Sequence, residues 1–227
     1  MPSFAIHSFF RCLNVDHRTH DNVDRLCDRA ETSYFSFLLF KGRGFHQPVA
    51  VQLWAAAFGC VAIAAVLGGT CHGFPQVLGE EAIGTLWQLL LYVLSFASCL
   101  MLSSSLKSSI PRRWQTWGWL LVGSKSFIYL SWMGTRPSTQ DAFTYGVVDY
   151  LSAMLIVFVL EARATLYLNT AGARWILLGI LISAVAIALQ TSGVKFAEYF
   201  NHNDLYHLVQ MVAFYYFYQG ATLTKDQ

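Results

Sequence analysis

Residues 200–210, Phe-Asn-His-Asn-Asp-Leu-Tyr-His-Leu-Val-Gln, set two histidines, two asparagines and an aspartate before an apolar, aromatic-rich run. A helix packed among apolar neighbours needs none of these groups, so this is where chemistry is sought first. Three imidazoles can hold zinc and leave a fourth tetrahedral position for water, the arrangement of a catalytic site. His202 and His207 are five apart, roughly 140° around a helix. They share one ion only if His202 belongs to the loop ahead of that helix, which Asn201 and Asn203 allow. His72, distant in the chain, is the third candidate ligand. A carboxylate beside zinc-bound water orients it or takes its proton. Glu81 and Asp204 are the candidates for that catalytic part. Asp204 also suits the first turn of a helix, where a carboxylate meets the positive end of the dipole.

Four further polar residues lie inside apolar runs: Gln88, Lys125, Asp149 and Gln210. Lys125 stands seven residues from Trp132 and Asp149 six residues from Phe143, which places them roughly 10 Å and 9 Å below the same face. Opposite charges at equal depth on consecutive antiparallel helices can pair. Gln88 and Gln210 fall in the same slab, and Gln210 shares a helix face with His207. Two readings stay open. The slab is a polar, partly hydrated cavity, or it is a network of ion pair and hydrogen bonds that fixes helix register. In the opposite half the polar residues are mostly serine, and Glu161 and Arg163 read as interfacial, so that half reads as dry.

The elements that must hold these residues follow from composition. Of 227 residues, 55% are apolar or aromatic and 12% are charged, about half the ~25% usual in a soluble domain. Residues 1–48 carry 11 of the charges, so the remainder cannot cover a water-soluble globule. A net charge of +2 gives no ground for a nucleic-acid partner. Six runs are long and apolar enough to cross a bilayer: 49–69, 82–104, 114–132, 143–161, 175–192 and 204–220. Gly73, Pro75, Pro111, Gly134, Pro137, Gly172 and Gly193 break the connections between them. The expected fold is all-α, a polytopic transmembrane helical bundle of six spans in a domain covering 49–220. Residues 1–48 are expected to be a poorly ordered tail, since their apolar run at 34–40 is too short to span. The alternative is a seven-span fold with a degraded first helix. Cys12, His17, His20 and Cys27 in this segment follow no zinc spacing.

Lys41, Arg43, Lys107, Arg112, Arg113, Arg163, Arg174 and Lys225 lie on one side of this map, against Arg136 and Lys195 on the other. By the positive-inside rule both termini, residues 221–227 included, are expected in the cytoplasm.

A histidine ending an early span, an acid opening the next and a histidine cluster opening the last resemble the layout of the CREST superfamily. That group includes alkaline ceramidases and progestin/adipoQ receptors, seven-helix proteins with an intramembrane zinc on three histidines. The resemblance covers residues 49–220, with His72 matching the early ligand and His207 the last. His202 lies one position from the first place of the family's closing H-x-x-x-H, where Asn203 stands. It implies a zinc-dependent intramembrane hydrolase acting on a lipid amide or ester. The phrases Gly-Gly-Thr-x-His-Gly-Phe and Asn-His-Asn-Asp-Leu-Tyr-His also resemble an uncharacterised group of bacterial multi-pass membrane proteins. Two other functions compete: a non-catalytic sensor or assembly factor whose polar residues specify packing, and a small-solute transporter. In every case the lipid bilayer is the expected partner.

Overall fold

Proline and glycine set most of the helix ends. The computed structural model describes residues 20–42, 47–135, 142–192, 195–197 and 200–227. Helix α1 runs over His20–Lys41 and α2 over Val49–Gly73, the latter entered through extended Pro48. Helix α3, Pro75–Ser109, is interrupted at Gly79, whose φ of 76° and ψ of 165° belong to glycine alone. Glu80 and Glu81 therefore open its long straight part, at the positive end of the dipole. Extended Pro111 starts α4, Arg112–Gly134, and α5 covers Ala142–Arg163. A π-helical turn, Ala164–Leu168, follows α5 and ends at left-handed Asn169, with φ of 50°. Helix α6, Ala171–Ser192, leads into a short antiparallel ribbon of β1, Lys195–Ala197, and β2, Phe200–Asn201. Helix α7 runs over His202–Leu223.

Among the described residues, the regular structure is helical apart from one ribbon. Among the described residues, four segments are long and apolar enough to cross a membrane: Val49–Gly73, Gln76–Ser109, Tyr145–Leu168 and Ala171–Ser192. Helices α4 and α7 fall below that measure because of their composition. The first carries Trp114, Trp117, Trp119 and Trp132 beside Lys125, and the second Tyr206, Tyr215, Tyr216 and Tyr218. Such amphipathic rings score as polar in hydropathy although they favour the membrane interface.

Helix α1 packs on α2 and α7, α2 on α3, α3 on α5, α5 on α6 and α6 on α7, while α4 lies against α3. The core inside this ring joins Phe35 and Leu39 of α1 to Trp54 and Phe58 of α2, Leu102 of α3, Val157 of α5, Ile176 of α6 and Phe217 of α7. Trp54 stacks on Phe217 at 5.5 Å and Phe35 on Tyr218 at 4.6 Å. A second cluster around Leu90, Leu91, Tyr129 and Met133 fills the space between α3 and α4. The outward faces are apolar as well: Leu121 and Phe127 of α4 are 73% and 72% exposed.

Residues 20–41 differ from the sequence expectation of a poorly ordered tail, because they form a helix that contributes to the core. Phe35 and Leu39 are buried and Ser36 Oγ donates to Ala55 O at 2.8 Å. An apolar run too short to span still secures a helix when neighbours cover one of its faces. Cys12, His17, Arg43 and Arg136 lie outside the described residues.

One end of the bundle gathers the basic residues. Arg163 Nη1 donates to Ser109 O at 2.6 Å, and Gln115 Nε2 donates to Ile110 O at 2.9 Å. The chain's last residues close this end. Asp226 accepts from Val49 N at 3.0 Å and Ala50 N at 2.9 Å, and Gln227 N donates to Lys107 O at 3.1 Å. Pro48 has no side-chain acceptor for the first amides of α2, so Asp226 acts as the cap from across the fold.

Candidate functional site

At the end away from the basic residues, helix positions decide which of the polar groups meet. Lys125 Nζ lies 2.5 Å from Asp149 Oδ1 and donates to Asp149 O at 3.2 Å, tying α4 to α5. Asp149 is 3% exposed, so its charge is held by this contact rather than by water. Gln210 Nε2 donates to Ser183 Oγ at 3.1 Å, tying α7 to α6, and Tyr150 of α5 adjoins both groups. Gln88 Nε2 reaches Tyr92 Oη at 3.3 Å on its own helix.

The three candidate histidines lie on two helices, α2 and α7. His72, exposed at the end of α2, sets its ring edge against Trp87 of α3 at 5.5 Å. His207 is partly buried and packs edge-on to Tyr206 at 4.9 Å. His202 opens α7, and Asp204 is buried two residues on. Glu81 is exposed, and its main-chain carbonyl accepts from Thr85 Oγ1 at 3.0 Å. Among the described residues, no three His, Cys, Asp or Glu side chains stand where they could hold one metal ion.

The half of the bundle expected to be dry holds a buried carboxylate. Glu161, near the end of α5, is 2% exposed, and its Oε1 has no hydrogen-bond partner. It lines a cavity of about 350 Å³ at the basic end, with Ser108, Thr170, Gly172, Thr224 and Lys225. Linear depth alone put Glu161 at the interface. The ends of α3, α6 and α7 and the last residues of the chain close over it, and that convergence is tertiary. A signal was available in the sequence: Ser103, Ser104, Ser105, Ser108 and Ser109 form a polar run at the end of an apolar helix, and all are buried.

Residues 30–226 match a family described as one of unknown function, DUF6962. The chain belongs to DUF6962. No curated protein and no solved structure matches it. The stretch shared with DUF6962 begins within α1 and ends in the segment that caps α2. It includes both polar regions, the Lys125–Asp149 pair and the cavity at Glu161.

Proposed function

We propose that this DUF6962 protein is a multi-pass integral membrane protein of the non-catalytic kind, a sensor or assembly factor whose polar residues specify how its helices pack. Its six spans are the runs at 49–220, with both termini on the cytoplasmic side. The observation that carries this reading is the closed contact of Lys125 with Asp149. It uses both charges between α4 and α5, and Gln210 with Ser183 joins α6 to α7 in the same way. The apolar outward faces of α4 and α5 support the bilayer as partner, since Leu121, Phe127 and Leu155 need a lipid surround. The test compares Lys125→Met with Asp149→Leu, singly and together, in detergent-purified protein. A double variant that folds like the wild type, beside two destabilised singles, upholds the reading. A double variant no better than the singles overturns it.

A second reading is the zinc-dependent intramembrane lipid hydrolase, with His72, His202 and His207 as ligands. Its support is the helix count, since among the described residues α1 brings the α-helices to seven, the number the CREST layout implies. Elemental analysis of purified protein separates the two. Near one zinc per chain, lost on His207→Ala, establishes the hydrolase site, and no metal in the wild type excludes it.

A further inference from the structure

Glu161 carries a problem that the fold leaves unsolved. A carboxylate removed from water is tolerated when it is paired or fully hydrogen-bonded. The Ser105 hydroxyl reaches the carboxylate, but its Oε1 has no hydrogen-bond partner and among the described residues no cation pairs with the group. Arg163, two residues on, is turned to the end of α3 instead, donating to Ser109 O. The space beside Glu161 is a cavity of about 350 Å³, near the lower end of the ~300–1,000 Å³ of small-molecule sites. Its lining sorts by charge. The carboxylate of Glu161 is the acceptor, and the exposed rim carries Lys225. A wall is formed by the first residues of α6, Ala171, Gly172 and Ala173. The first amides of a helix have no partners inside it and favour an anion. The π-helical turn between Glu161 and this wall adds a separate sign, since such turns are rare and frequent at functional sites.

We infer that this cavity binds a small zwitterion, its ammonium group on Glu161 and its carboxylate or phosphate against the amino terminus of α6 and Lys225. A lone amine would leave the α6 amides and Lys225 unanswered, and a lone anion would meet Glu161 with like charge. The site lies at the opposite end from Lys125–Asp149 and stands whether or not that pair is structural. Both a free zwitterion and the headgroup of phosphatidylethanolamine carry this chemistry.

The test uses the full chain in phosphatidylglycerol nanodiscs, with alanine and phosphoethanolamine as free zwitterions and ethylamine and acetate as the separate halves. Saturable binding of a zwitterion is expected, with each half weaker by about tenfold or more. Glu161→Gln lowers zwitterion affinity by a similar factor. Lys225→Ala, on an exposed residue, lowers zwitterion affinity while leaving ethylamine unchanged, and so tests the site even if Glu161→Gln fails to fold. Adding phosphatidylethanolamine to the nanodiscs identifies the source. Displacement of the free zwitterion assigns the site to the headgroup, and unchanged binding assigns it to a solute. No saturable zwitterion binding in either lipid, or binding that neither substitution alters, overturns the inference.

Discussion

Gly172 and Gly220 bring α6 and α7 to backbone contact. A methyl group on Gly172 would stand 2.9 Å from Gly220 O, and one on Gly220 would stand 2.9 Å from Gly172 O and 2.5 Å from Ile176 Cγ1. Small residues at such crossings let helices approach where lipid offers no hydrophobic drive between them. Because the obstacle is main chain, a side chain cannot simply move aside. Gly220→Ala should cost about 1–3 kcal/mol, read as a lowered unfolding midpoint in detergent. A midpoint equal to the wild type would show that α6 and α7 separate without penalty.

The Lys125–Asp149 cycle has an expected asymmetry. Lys125→Met leaves Asp149, 3% exposed, with no counter-charge, and should cost about 3 kcal/mol. Asp149→Leu leaves Lys125, which is 22% exposed and reaches water, so its cost should be smaller. Equal losses in the two single variants would contradict the difference in burial.

Phe35 tests whether α1 is part of the folded unit. It is 5% exposed, stacked on Tyr218 at 4.6 Å and edge-on to Phe58 at 5.7 Å. Phe35→Ala should cost about 3–5 kcal/mol, whereas Phe37→Ala, on a residue 56% exposed, should cost little. If both substitutions are silent, α1 adds nothing to stability.

Gly79 offers a purely backbone experiment. Nothing lies within 4 Å of where its Cβ would be, yet its φ is 76° with ψ of 165°. Gly79→Ala should lose about 1–3 kcal/mol through strain alone. Asparagine should not rescue it, because asparagine tolerates the left-handed helical region and this ψ lies outside it. Rescue by asparagine would mean that the chain relaxes into a different turn.

Much of this architecture is written in local signals. Pro48 and Pro111 precede α2 and α4, the helix ends fall close to the apolar runs, and the equal depth of Lys125 and Asp149 is a matter of counting. What depends on tertiary convergence was less legible. The run at 34–40 gives no sign that Phe35 and Leu39 meet α2 and α7. Glu161 reads as interfacial because Ser108 and Thr224, which close over it, are far from it in sequence. For the histidines, spacing says which end of the bundle they occupy but not which way each ring turns, and His72 turns to Trp87.

The capping of α2 by Asp226 sets an order of events during synthesis. Ala50 and its cap are 176 residues apart, so the ribosome makes the second helix long before its first amides can be satisfied. Until α7 is in place those amides need water, a translocation partner or a lipid phosphate as a substitute. The basic end is therefore the last part of the bundle to close, and nascent chains stalled before residue 226 should hold it open.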